Sequence, residues 1–148
     1  DAECPSLGAR WMAIAMMHQK LYDFKQALAR LEEALSKDPE KDSLYLDAVI
    51  QRFEFTYELC WKLQKAYLAY LGIEANNPRS VIRESLKQRL IDEVHAQTWF
   101  AMIDQRNLTT HTYHLALAKN VYTAIKTQFI QLLRELQEAL EPLIEAID

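Results

Sequence analysis

Residues 44–71 read LYLDAVIQRFEFTYELCWKLQKAYLAYL, a run without a glycine or a proline. Leu46, Ile50, Phe53, Tyr57, Cys60, Tyr67 and Leu71 follow one stripe through it, broken only by Gln64. Steps of three and four put such residues on one side of a helix. At ~1.5 Å per residue the helix would span about 40 Å. Asp42 or Ser43 offers an N-cap, and Gly72 is a natural C-terminal stop. Phe53, Phe55, Tyr57, Trp61, Tyr67 and Tyr70 make this helix aromatic on more than one side. Core packing accounts for most of these rings. A face for a second subunit is the alternative use of the remainder.

The same periodicity extends outward in both directions. Upstream, Met17, Leu21, Phe24, Leu28, Leu31 and Leu35 alternate fours and threes, which predicts a core-facing helix ending near Asp38-Pro39. Downstream, Asn77-Pro78 supplies a cap and a first-turn proline, followed by a stripe of Ile82, Leu86 and Leu90. Arg79, Arg83 and Lys87 run beside that stripe at spacing four. They form either a solvated basic face or a dock for an acidic surface or phosphates. A fourth segment near Gln97–Gln105 carries Trp99, Met102 and Ile103. A last long helix is predicted from about His114 to Leu140, with Val121, Ile125, Phe129, Leu132, Leu136 and Leu140 inward. Pro142 should kink or stop it.

Half of the residues are apolar, and only Gly8 and Gly72 are glycines. Hairpin pairs such as Asn-Gly or Asp-Gly do not occur, which argues against a sheet. The expected fold is all-α, an up-and-down bundle of about five helices in one domain. Residues 1–16 read as an added or upstream extension, because Met16 or Met17 looks like a natural start; residues 17–148 read as the domain. Asp1 to Ala15 lacks the basic and apolar blocks of a secretory signal, and no stretch approaches the ~18 apolar residues of a membrane span. Cys4 and Cys60 form no metal-type pair and offer a poor prospect of a disulfide, which suits a reducing cytoplasm. A net charge of -4 and a pI near 5.6 argue against nonspecific coating of nucleic acid.

Between the fourth and last stripes the chain turns polar and β-branched: Arg106-Asn107-Leu108-Thr109-Thr110-His111-Thr112-Tyr113. Thr109 or Thr110 could cap the helix that follows, so a simple break would explain the threonines. It does not ask for Arg106, His111 and Tyr113 together. Five residues apart on a continuous helix, Arg106 and His111 diverge by about 140°. They converge only if the helix breaks, or if a second copy brings its own pair across a two-fold axis. Arginine suits bidentate clamping of a phosphate, and histidine suits proton transfer with an unperturbed pKa of ~6.5. Such acid–base help is typically worth ~10²–10⁴ in rate.

The octapeptide resembles the Arg-x4-His-x-Tyr motif of HEPN domains, with Asn107 as the polar residue that often follows the arginine. Two further stretches are similar to one branch of that superfamily, the nucleotidyltransferase substrate-binding proteins. They are Gln51-Arg52-Phe53-Glu54-Phe55-Thr56-Tyr57-Glu58-Leu59 with Trp61-Lys62, and Pro78-Arg79-Ser80-Val81-Ile82-Arg83-Glu84. The likeness runs from about Leu21 to the last helix. It implies a bundle that forms a homodimer and binds a minimal nucleotidyltransferase. In related systems the HEPN protein is a metal-independent ribonuclease toxin, and its partner silences it by moving AMP from ATP onto the motif tyrosine. Carried over by position, Arg106 and His111, with Asn107, would be catalytic and Tyr113 the AMP acceptor. The alternative for this branch is a noncatalytic subunit that presents substrate to the nucleotidyltransferase.

No cofactor is expected on this chain, since ATP would be used by the partner and no phosphate-binding glycine loop occurs. His111 and His114 lie three apart, but no third ligand has matching spacing for a zinc site. Glu54 and Glu58 sit one turn apart on the long helix. A solvated edge is one use of them; a salt bridge from one of them to Arg106 or Arg52 is the sharper expectation.

Overall fold

The computed structural model describes residues 6–111 and 114–147, with the backbone alone at 110 and 111. Helix α1 spans Leu7–Leu35, and Ser6 caps it by accepting the Ala9 N–H at 3.1 Å. It therefore starts about ten residues before the predicted Met17, because nothing between Ser6 and Met17 breaks a helix. These added turns bury Ile14 but leave Leu7, Trp11, Met12 and Met16 exposed, so they add little to the core. Further along, Met17, Leu21, Phe24, Leu28 and Leu31 point inward as predicted. Ala34 takes the last core position and leaves Leu35 half-buried.

Helix α2 (Leu44–Tyr70) returns along α1, and the two form the most extensive helix pair of the fold. It ends as the glycine predicts: Gly72 has φ 84°, its N–H bonds the Ala69 carbonyl, and Ile73 N–H bonds the Leu68 carbonyl. That double bond is the left-handed helix stop which glycine makes without strain. α2 buries more than one stripe. Val49, Leu63 and Leu68 are fully buried beside the predicted row, because α1, α3 and α5 all pack on this helix. Leu71 is the exception to the predicted row and stays largely exposed. Gln64, the break in the stripe, is itself buried: its Nε2 donates to Ser85 Oγ at 3.1 Å and its Oε1 accepts from the Cys60 thiol at 3.6 Å. Among the aromatics, Phe53, Tyr57 and Tyr67 are core, while Phe55 is 62% exposed.

Helix α3 (Pro78–Lys87) is capped by Asn77, whose side chain accepts the Ser80 N–H at 2.9 Å while Ser80 Oγ accepts the Asn77 N–H at 3.2 Å. Its stop resembles that of α2, except that Arg89 occupies the left-handed position with φ 59°. After a single 3₁₀ turn, Glu93–His95, helix α4 runs over Ala96–His111. Helices α5 (Leu115–Ala124) and α6 (Ile130–Glu145) form one rod through a π turn, Ile125–Phe129. Each step of four along Val121, Ile125 and Phe129 overshoots a helical turn by about 40°. The wider π turn takes up that drift, and both Ile125 and Phe129 reach the core, where Phe129 stacks on Phe53 at 5.7 Å between centroids.

Two local expectations are corrected. α6 continues through Pro142 to Glu145, rather than ending near Leu140. A proline in the final turn removes one N–H, and Leu140 and Ile144, both fully buried, keep that turn docked. The cap of α5 is His114, whose Nδ1 accepts the Leu117 N–H at 3.2 Å, rather than Thr109 or Thr110. Thr109 instead lies inside α4, donating its hydroxyl to the Arg106 carbonyl at 2.9 Å. Among the described residues all regular structure is helical, in five rods joined by short connections, and no helix is long and apolar enough to cross a membrane.

Candidate active site

The buried side of α2 fixes the polar edge beside it. Phe53, Thr56, Tyr57 and Cys60 are core residues, so Glu58, next to Tyr57, sits at the rim where α2 faces α4. Its Oε1 lies 3.4 Å from Arg106 Nη2, an ion pair with 35% of the glutamate and 22% of the arginine side chain exposed. Its Oε2 accepts the Trp61 indole N–H at 3.2 Å, and Lys62 Nζ stands 3.8 Å away. Glu58, and not Glu54, therefore makes the expected bridge to Arg106. Arg52 turns to the other side of α2 and donates to the Arg30 carbonyl at 2.7 Å.

A second ion pair joins α3 to α4. Arg79 Nη2 donates to Asp104 Oδ1 at 2.7 Å, and its guanidinium lies 5.6 Å from the centroid of Phe100. Lys87 pairs with Glu84 at 3.2 Å, and Arg83 is exposed. The basic row along α3 is thus tied in part to carboxylates of its own chain. Burial lifts the Tyr57 hydroxyl well above its ordinary pKa; Cys60 and Glu58 push the same way, while Arg106 and Arg79 oppose them. Tyr57 consequently stays protonated between the two ion pairs. The arrangement sets the partly buried Arg106 guanidinium beside the Glu58 carboxylate. A planar fork of five N–H donors matches the oxygens of a phosphate or carboxylate.

The other motif positions divide clearly. Asn107 is exposed on α4, next to Arg106. Position 111 closes the same helix, which is continuous from Ala96. Positions 106 and 111 are therefore about 140° apart around one axis, and a break between them is excluded. The side chain of His111, and Tyr113 altogether, lie outside the described residues. Sequence reading had not placed Trp61 or Asp104 at this site. The spacing Glu58 to Trp61, one helical turn, was the available signal for the first.

The profile described as nucleotidyltransferase substrate binding protein like matches residues 19–142. The chain belongs to this family. Its residues 106–113 resemble the Arg-x4-His-x-Tyr motif of HEPN domains. It is 35% identical over 96 residues to the Haemophilus influenzae protein named probable ribonuclease HepT, a match covering 62% of this chain and 64% of that protein. The chain thus spans just under two thirds of that relative's length. A crystal structure from Thermus thermophilus superposes with a TM-score of 0.72 at 34% identity, covering 79% of this chain and 98% of the other. The tri-AMPylated Shewanella oneidensis HEPN toxin, solved in complex with its MNT antitoxin, shares the fold: TM-score 0.70 at 14% identity, covering 85% of this chain and 96% of the toxin.

Proposed function

We propose that this chain is the HEPN subunit of a two-component system with a minimal nucleotidyltransferase, a toxin–antitoxin pair in which it is a latent metal-independent endoribonuclease. The observation that carries this reading is Arg106, a half-buried guanidinium held at the rim between α2 and α4 within an Arg-x4-His-x-Tyr motif. The names borne by the Haemophilus and Shewanella relatives support it. Because α4 is continuous through the motif, positions 106 and 111 of one chain lie about 140° apart around its axis, and the composite cleft would need a homodimer. Two arginines would then clamp the scissile phosphate. One His111 takes the proton of a ribose 2′-hydroxyl as that oxygen attacks the neighbouring phosphorus. The other gives a proton to the departing 5′ oxygen. The products are a 2′,3′-cyclic phosphate and a 5′-hydroxyl end. Asn107, beside Arg106 on the exposed face, would hydrogen-bond the RNA.

Silencing would follow from AMP transfer. The Tyr113 hydroxyl attacks the α-phosphorus of ATP held by the partner, pyrophosphate leaves, and an anionic nucleotide is fixed two residues from His111. It blocks RNA by bulk and by charge. The second reading, a noncatalytic subunit that presents substrate to the nucleotidyltransferase, is favoured by the family's own description. Cleavage of RNA by the free protein to cyclic-phosphate ends, lost in Arg106→Ala and in His111→Ala, separates the two. Intact RNA together with retained partner binding supports the second. Mass spectrometry after incubation with partner and ATP should find the AMP adduct on Tyr113; an adduct elsewhere sinks the silencing scheme.

A further inference from the structure

We propose that Glu58 is the positioning residue of the site: it orients the Arg106 guanidinium for phosphate binding without touching substrate itself. The inference rests on the ribonuclease reading above. Three features of the geometry support it. First, Glu58 stands on a different helix from Arg106, and its neighbours Thr56, Tyr57 and Cys60 are buried, so its backbone is fixed by the core. Second, its carboxylate is held from its own side. Oε2 receives the Trp61 indole N–H at 3.2 Å with Lys62 at 3.8 Å, which leaves Oε1 directed at Arg106 Nη2, 3.4 Å away. Third, the other nearby arginine does not compete, because Arg79 is committed to Asp104 at 2.7 Å.

An arginine side chain is long and loses rotamer freedom when it binds, and anchoring one of its nitrogens in advance lowers that cost. A carboxylate beside a phosphate clamp would normally repel the anion. Here Lys62 and the indole N–H offset its charge, so that the local sum of Arg106, Lys62 and Glu58 remains positive. The glutamate can thus align the fork while the site keeps its attraction for phosphate.

The test is single-turnover cleavage of a short single-stranded RNA by the full chain, comparing wild type, Glu58→Gln, Arg106→Ala and the double variant. Glu58→Gln should lower the maximal single-turnover rate on the order of ten- to a hundredfold, as a misaligned group does, and weaken RNA binding by less than that. In the Arg106→Ala background it should cost nothing further, because its effect runs through the arginine. Glu58→Asp, which keeps the charge on a shorter stem, should restore part of the rate. Urea unfolding of each variant keeps a folding defect distinct. Glu58→Gln as fast as wild type, or faster (a glutamate that restrains the arginine), overturns the inference while leaving the ribonuclease reading intact. A loss that multiplies with Arg106→Ala also overturns it. RNA left intact by wild type, or cut equally by Arg106→Ala, overturns the ribonuclease reading and the inference with it.

Discussion

Gln64 and Ser85 lock α3 onto α2, and removing both should harm the protein less than removing either. Both side chains are buried, at 1% and 0% exposure, and the Gln64 Nε2 donates to Ser85 Oγ at 3.1 Å. Ser85→Ala deletes a hydrogen bond worth about 1 kcal/mol net and leaves a buried amide N–H without that acceptor, a further cost of ~1–3 kcal/mol. The expected loss is about 2 kcal/mol, or roughly 4–8 °C in Tm for a chain of this size. Gln64→Leu should cost less, about 1 kcal/mol, because a helical serine can turn its hydroxyl to the carbonyl four residues back. In the double variant an apolar pair replaces a satisfied polar one, which is close to neutral. The sum of the singles is about 3 kcal/mol, so the cycle should yield a coupling of ~2–3 kcal/mol, far above the ~0.3–0.5 kcal/mol scatter of independent sites. Urea unfolding of the four proteins measures it. A double variant that loses the full sum would refute the claim that the two groups satisfy each other.

Two further outcomes concern backbone strain and pH. Arg89 occupies the left-handed stop of α3, which costs a non-glycine residue roughly 1–2 kcal/mol; Arg89→Gly should recover part of it and raise stability by about 0.5–1 kcal/mol in the same urea assay. Unchanged or lower stability would count against that reading of the turn. Burial raises the pKa of the Cys60 thiol and the Tyr57 hydroxyl, so each contributes stability that is fully present below its unfolded pKa (~8.5 and ~10) and is lost as pH climbs toward the folded one. The urea midpoint should therefore fall above about pH 8.5, by up to ~1.4 kcal/mol per pH unit for the thiol alone. Cys60→Ala should flatten the curve between about pH 8.5 and pH 10. An equally steep curve in that variant would show that the thiol is not responsible.

The helices were legible because their signals are local. The stripe from Met17 to Leu31, the Asn77-Pro78 start and the Gly72 stop each depend on residues within a turn or two, and all three appear where the sequence puts them. The errors were local signals overruled by packing or by continuity. Pro142 does not end α6, since Leu140 and Ile144 are buried on either side of it, and the threonines at 109 and 110 do not end α4. Val49, Leu63 and Leu68 were missed as core because a periodicity reports one buried face, while α2 is enclosed by three helices.

For the site, the sequence alone determined the residue types: an arginine, an asparagine, a histidine and a tyrosine at motif spacing, and two candidate glutamates one turn apart on another helix. It could not choose between those glutamates. Glu54 and Glu58 differ by only about 40° around α2. They also stand one turn, about 6 Å, apart along it, and the packing of the helices brings Glu58 against Arg106. The tertiary structure also decided the pairing of Arg79 with Asp104 across 25 residues, which no spacing rule predicts. Finally, it made α4 continuous through Arg106 and His111. Positions 106 and 111 then lie about 140° apart around one helix axis, an arrangement that the threonines between them had left open.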